Sequence, residues 1–482
     1  MAVDAHVMLE TKRTDLPVIK EWLDRHDYVA AGQVLTAYLN ENPACDEGLF
    51  LYGRLMLEQD SAAIAALVYE RLTASDREPR WQNYLNLGKC WDHLNEPERA
   101  ESCYLRALEL DPNNQAGLVA LGTNYVQQYR SDEAVEVCEK ALALYPQAQW
   151  AESSLGFALL QQREWGAGWD AYEAGYGKLR WRNERNYTGE PRWQGKKSKS
   201  ERIAVHGEQG LGDQIAGLEP LNDLARDCTV ASLEVSPKLL GLAKRSFPDI
   251  DVYGTLGEAQ LEWPASKQIN AHAGLFSIHK HYRRKESDYA GNPYLIADPQ
   301  RRVQWRALFD SMGDRPKVGI AWSGGIGVTQ RTARCAALEE WTRILRQDCD
   351  LISLEYKDRT ADIEAIKRRR KIEIHDFPWA TRTDNYDDTA ALVAELDLVI
   401  TVPTAVVHLA GSLGVPVWCM VHPRPNIHYC ATGDSIAYYG STRLYRRGSD
   451  DDWSSTVGRV AADLKQFLGE RANGSKLTIA AA

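Results

Sequence analysis

The sequence predicts an α + α/β chain: a helical repeat solenoid at the N-terminus, followed by two Rossmann-like units. Three observations predict it. Gly88 and Gly122 lie 34 residues apart inside two matching stretches. Beyond residue 201, short apolar runs alternate with helical patterns twice over. Between them sits a glycine-rich turn, His206-Gly207-Glu208-Gln209-Gly210-Leu211-Gly212-Asp213-Gln214. At 482 residues the chain has room for about three domains. The expected boundaries are repeats over 1–182, a linker over 183–201, Rossmann-like units over 202–310 and 311–470, and a tail over 471–482.

The repeat comes first. Leu87-Gly88, Trp91, Ala100, Tyr104, Ala107 and Pro112 recur as Leu121-Gly122, Tyr125, Ala134, Cys138, Ala141 and Pro146. Small residues where two helices touch, with proline after the second, form the tetratricopeptide pattern. Leu155-Gly156, Gly168 and Tyr172 continue it in degraded form; Tyr52-Gly53, Ala65 and Tyr69, then Ala31, Leu35 and Pro43, extend it upstream. Four to five repeats are expected. Such arrays expose a concave groove that takes a peptide, a partner or another copy of the chain, so a homodimer is compatible with it. The stretch 183–201 loses the period and carries Gly189, Pro191, Gly195 and Lys196-Lys197-Ser198-Lys199, a linker composition. Its Trp193 is expected to dock on a neighbouring domain.

Composition narrows the function classes. Hydrophobic residues at 44% and charged residues at 26% give an ordinary globular balance. A net charge of −10 argues against non-specific nucleic-acid binding. The basic runs Arg283-Arg284-Lys285 and Arg368-Arg369-Arg370 read as solvated faces. Nine cysteines without a Cys-x-x-Cys pair read as reduced, mostly buried thiols. Met1-Ala2-Val3-Asp4 opens no signal peptide, and no apolar run approaches the ~18 residues of a membrane span. A cytoplasmic location is the expectation.

In the remainder, Arg202-Ile203-Ala204-Val205 reads as a buried strand and Ile215 to Arg226 as a helix after the glycine turn. Further strands are expected at Val230–Val235, Val252-Tyr253, Ile269–Ala271, Lys317–Trp322, Leu351–Leu354, Lys371–Ile374, Leu398–Thr401 and Val417–Met420. Ligands in doubly wound folds sit at the carboxyl ends of the strands, so the cleft between two such units is the expected site. Candidate residues follow from that position. Gly210 and Gly212, with Gln209, let the backbone approach a ligand, and Asp213 is a carboxylate placed for chemistry or for capping. Ser323-Gly324 follows a strand end, with Arg331 and Arg334 beyond it as guanidinium forks for a diphosphate. A helix is expected to start at Pro403 or Thr404, with Ala405 and His408 within its first turns and free N–H groups for a phosphate. Asp450-Asp451-Asp452 reads as an acidic loop rather than a metal cluster, and no metal is required.

These residues resemble a known family. Glu208-Gln209-Gly210-Leu211-Gly212-Asp213, Ala321-Trp322-Ser323-Gly324, Asp388–Val393 and the Thr404-to-Trp418 run are similar to the signatures of the ADP-heptose:lipopolysaccharide heptosyltransferases, glycosyltransferase family nine. Trp169, Tyr172-Glu173 and Pro191–Gly195 resemble bacterial tetratricopeptide-containing members. The resemblance implies a GT-B fold, with a nucleotide-sugar donor over the second Rossmann-like unit and the acceptor over the first. It puts Asp213 at the catalytic base and implies sugar transfer, inverting and metal-independent, to a flagellin-like protein or surface glycan recruited by the repeats. Pro403, in place of an aspartate or small polar residue, and Gly274-Leu275-Phe276-Ser277 depart from the family pattern. The competing reading is a non-catalytic scaffold whose degenerate Rossmann pair only binds a nucleotide or partner; Pro403 favours it and Asp213 opposes it.

Overall fold

Small residues at the repeat period let the first helices pair closely. In the computed structural model, which describes residues 16–74, 79–178, 182, 185, 187, 189–258, 260–325, 335–448 and 452–472, the chain divides into two compact units, Met1–Ala158 and Leu159–Ala482. The first holds the helix pairs α1/α2 (Leu16–Asp24, Tyr28–Glu41), α3/α4 (Asp46–Glu58, Ala62–Ala74), α5/α6 (Trp81–His93, Pro97–Leu110) and α7/α8 (Gln115–Gln128, Ser131–Leu144), and the start of α9 (Gln149–Gln161).

Gly53, Gly88 and Gly122 play one part in successive pairs. A β-carbon at Gly53 would lie 2.8 Å from the Tyr69 ring, and one at Gly122 would lie 2.6 Å from the Cys138 sulfur. At Gly88 it would collide with the Tyr104 ring; each partner sits on the second helix of its pair. The Tyr104 hydroxyl donates to Asp92 at 2.6 Å, so its ring cannot swing clear without breaking that bond. Gly88→Ala is therefore expected to destabilise the array by about 1–3 kcal/mol, measured by denaturant unfolding.

The second unit begins with the end of α9 and α10 (Trp165–Tyr172), then forms two parallel sheets. The first has β1 (Arg202–His206), β2 (Thr229–Glu234), β3 (Val252–Tyr253) and β4 (Ala271–Gly274) in the order β3-β2-β1-β4. Its helices are α11 (Leu211–Gly217), α12 (Leu221–Asp227), α13 (Leu240–Ser246) and α14 (Leu275–Tyr282), and α15 (Pro299–Ser311) leads to the second sheet. The expected helix from 215 to 226 is two pieces, because Pro220 cannot continue α11.

The second sheet contains β5 (Lys317–Ala321), β6 (Asp350–Ser353), β7 (His375–Asp376), β8 (Leu398–Thr401), β9 (Val417–Val421), β10 (Ser435–Ile436) and β11 (Tyr439–Arg446). Its order, β10-β11-β9-β8-β5-β6-β7, makes the β5/β8 boundary the point where chain direction across the sheet reverses. β10 pairs antiparallel with β11; the other pairs are parallel. Ile320, Leu351, Leu398, Ile400 and Met420 form its core with Trp341 and with Val457, Val460 and Leu464 of the helix Trp453–Ala472.

Two expectations change. Lys371–Ile374 is not a strand: only His375–Asp376 pairs, at the sheet edge, although Ile372 and Ile374 are buried. Where described, the 183–201 stretch runs along β4: Trp193 N–H donates to His272 O at 2.8 Å and His272 N–H to Pro191 O at 3.0 Å. Trp193 is buried against Tyr282 and His281, the docking expected of it. Finally, Arg283 is no solvated charge. It is buried and clamps Glu219 at 2.6 and 2.8 Å and Asp223 at 2.7 Å.

Candidate functional site

The glycine-rich turn leaves β1 and enters α11. Its left-handed residue is Gln209 (φ 59°), not a glycine. That conformation costs a non-glycine side chain energy, and local bonds hold it: Gln209 Nε2 donates to Tyr172 OH at 2.7 Å and Gln214 Nε2 to Gln209 O at 3.4 Å. Beneath it, buried Glu208 accepts from Arg182 Nε at 2.8 Å and Phe276 N–H at 2.9 Å. Gln209 thus braces the turn, while Gly210 and Gly212 line the adjoining cleft. Gly212 allows a close approach: a β-carbon there would meet Ala405 Cα at 3.1 Å and His408 Cδ2 at 3.0 Å, on the helix Ala405–Ser412 of the second sheet.

Asp213 is the third residue of α11. Its Oδ2 accepts the Gly210 N–H at 3.1 Å and its Oδ1 lies 2.9 Å from His428 Nε2. Burial alone would raise its pKa. The His428 hydrogen bond, the electrostatic influence of the two nearby imidazoles and the Gly210 N–H outweigh burial and hold the carboxyl below the ordinary carboxylate value. Asp213 is therefore both a cap and a cleft group: it lines a cavity of about 540 Å³ with Lys238, Tyr356, Arg382, Tyr386, Thr404 and Asn426.

The opposite wall is the switch point of the second sheet. Pro403 stands outside the helix, which begins at Ala405 with Thr404 as its cap; Thr404 Oγ1 accepts the Val406 N–H at 3.2 Å. The expected start at Pro403 or Thr404 thus moves one residue on, and two helix N–H groups, those of Val406 and Val407, are already taken. Gly324 packs on this cap, where Thr404 Cγ2 fills the space that a β-carbon would need. Ser323 faces its own sheet: its N–H and hydroxyl bind buried Glu355 at 2.7 and 2.6 Å, and Arg359 Nη2 donates to its Oγ at 2.8 Å. Burial raises the Glu355 carboxyl despite those bonds. His408 lines the cleft on the Asp213 side, with Nδ1 3.1 Å from Tyr439 OH, and burial lowers its pKa to about 3. It can offer a hydrogen bond but no charge to a diphosphate. Arg331, Arg334, Asp450 and Asp451 lie outside the described residues.

Sequence reasoning missed the cations that the cleft does contain. Lys238 follows β2 in Ser236-Pro237-Lys238 and lies 3.1 Å from Asp384. Arg382, in Thr381-Arg382-Thr383-Asp384, donates to Asp376 at 2.6 Å while its Nε has no partner among the described residues. Each stands at a short helical turn beyond a strand end, Lys238 within Pro237–Leu239 and Arg382 just after Pro378–Thr381. The two halves of this unit are also fastened directly: Arg245 binds Asp387 at 2.8 and 3.1 Å, and the Tyr294 N–H donates to Ser412 O at 3.0 Å. Among the described residues no cluster could hold a metal ion, and no helix is long and apolar enough to cross a membrane.

Comparisons with known proteins fit the helical part. The tetratricopeptide repeat model matches residues 82–114. Protein FlbA of Caulobacter vibrioides is 27% identical over 317 residues, covering 63% of this chain and 52% of FlbA. The chain thus spans about half the length of this curated relative, and a match of that extent reaches beyond the repeats into the α/β unit. Among solved structures, MamA is 20% identical, covering 33% of this chain and 85% of its own at a TM-score of 0.29. PilF of Pseudomonas aeruginosa is 20% identical, covering 34% and 76% at 0.31. At those scores the structural likenesses carry no argument. The sequence period, the helix pairs and the matched model agree on one conclusion: this chain carries tetratricopeptide repeats, followed by an α/β region with parallel sheets.

Proposed function

We propose that the α/β unit is a glycosyltransferase of GT-B type, taking a sugar from a nucleotide-sugar and passing it to a hydroxyl of a protein or glycan acceptor. The observation that carries the reading is Asp213, set at the rim of a cleft between the carboxyl ends of two parallel sheets and facing the switch point of the second. In this reading the acceptor oxygen loses its proton to Asp213 as it attacks the anomeric carbon. Lys238, Arg382 and the Ala405 N–H at the start of the helix stabilise the departing phosphate. A single attack opposite the leaving group inverts the anomeric centre. The repeats supply the acceptor: their groove, about 980 Å³ and lined by Lys89, His93, Thr123, Gln149 and Trp150, suits a peptide segment.

The test is nucleotide release from ADP-, GDP-, UDP- and CMP-linked sugars, followed directly. One donor class should be hydrolysed slowly without acceptor. Lys238→Ala and Arg382→Ala should each weaken nucleotide binding by about 1–3 kcal/mol, with the half-exposed Lys238 at the lower end. Tight nucleotide binding with no release from any donor would instead favour the non-catalytic scaffold.

A further inference from the structure

Asp213 is held from across the cleft. Its partner His428 is 215 positions further along the chain and belongs to the second sheet's half. His428 is 2% exposed, and its Nδ1 has no hydrogen-bond partner among the described residues. A carboxylate only accepts, so the 2.9 Å contact puts the ring proton on Nε2. The loop carrying His428 is itself pinned. Asn426 Oδ1 accepts the His428 N–H at 3.3 Å. Arg446 on β11 donates to Gly433 O at 2.6 Å, Thr432 O at 3.0 Å, Cys430 O at 3.2 Å and also to Tyr429 O. The His408, Tyr438 and Phe276 rings enclose the imidazole at 4.9, 5.6 and 5.7 Å. Among the described residues, a ring so confined has one hydrogen-bond partner, and it is the cleft carboxylate.

We propose that His428 is the positioning residue of the proton acceptor, holding Asp213 Oδ1 from the second half of the fold so that Oδ2 is presented to the attacking hydroxyl only when the two halves are together. This rests on the reading of Asp213 as base. In the step, the acceptor O–H bond breaks and its proton moves to Asp213 Oδ2. The oxygen bonds to the anomeric carbon, and the electron pair of the breaking C–O bond leaves on the nucleotide phosphate. His428 keeps its proton throughout. The groups that face Asp213 are His428 and His408 from the second half, with Tyr439 behind His408. Lys238 lines the same cleft, and Tyr172 of α10 approaches through Gln209. Of these His428 makes the only side-chain hydrogen bond to the carboxylate among the described residues, so its loss leaves burial to dominate and raises the carboxyl.

The experiment measures nucleotide release by the full chain from whichever of the ADP-, GDP-, UDP- and CMP-linked sugars the wild type cleaves, as a function of pH, for wild type, His428→Ala, His428→Gln and Asp213→Asn. Thermal unfolding checks that each variant folds. The expected result for His428→Ala is a kcat lower by about 10–100-fold with little change in KM. Its acidic limb should move to higher pH, and His428→Gln, whose amide N–H can reach the same oxygen, should recover most of the rate. A folded His428→Ala with wild-type rate and an unmoved limb overturns this inference, as does a folded His428→Gln no better than the alanine variant. If Asp213→Asn is itself near wild type, or no donor is cleaved at all, the reading beneath it fails as well; an inactive Asp213→Asn beside a normal His428→Ala removes this inference alone.

Discussion

Asp213→Asn is expected to lower turnover by roughly 100-fold or more while leaving donor affinity nearly unchanged. Asparagine keeps the size of the side chain, can still accept the Gly210 N–H that caps α11, and can keep the His428 contact by donating its NH2 to Nε2 in the other ring tautomer. It cannot take up a proton at neutral pH. The pH dependence of stability gives a second readout with a definite sign. The Asp213 carboxyl is depressed in the fold, so its contribution is complete above the unfolded value of about 3.9 and is lost as pH falls through the lower folded value. The stability gap between wild type and Asp213→Asn should therefore be constant at neutral pH and close only in strong acid. A variant with near-normal turnover would remove Asp213 from the chemistry and leave it as a cap.

The largest expected effect on stability lies beneath the same turn. Arg182 is fully buried, donates to Glu208 at 2.8 Å and Tyr172 O at 2.7 Å, and lies 4.2 Å over the Tyr172 ring. The neighbouring carboxylates of Glu208 and Glu173 hold its pKa above the ordinary arginine value despite burial. Arg182→Met removes one partner and leaves the Glu208 carboxylate uncompensated in the interior, a change expected to cost about 3–5 kcal/mol. Adding Glu208→Gln should recover part of that loss, because a neutral amide is less costly to bury than an unpaired charge. Denaturant unfolding of both variants checks this. Equal stability of Arg182→Met and wild type would mean the pair contributes no more than its replacement.

How much of this was legible in the sequence depends on distance along the chain. The Gly88/Tyr104 and Gly122/Cys138 contacts join residues 16 apart and recur at the repeat period, so the helix pairs could be read directly. Buried parallel strands such as Leu398–Thr401 announced themselves as apolar runs. β11 did not: Tyr439–Arg446 is largely polar, with outward residues such as Gly440 and Arg443 interrupting the apolar pattern. Asp213, Gly210, Thr404, Ala405 and His408 were found as local motifs, and the fold brings them to one cleft. His428 could not be found that way, because nothing in Pro425-Asn426-Ile427-His428 points to a carboxylate 215 positions earlier. Nor could the charge state of His408, which burial sets. Ser323 shows the converse failing: its loop position resembled a ligand contact, yet Glu355 and Arg359 occupy it.

Whether a nucleotide-sugar lies in the cleft between the two parallel sheets is tested most directly by a crystal structure with bound nucleoside diphosphate. Its phosphates are expected between Lys238, Arg382 and the start of the helix Ala405–Ser412, with the sugar end directed at Asp213. A nucleotide bound elsewhere, with this cleft empty at saturating concentration, would contradict the assignment.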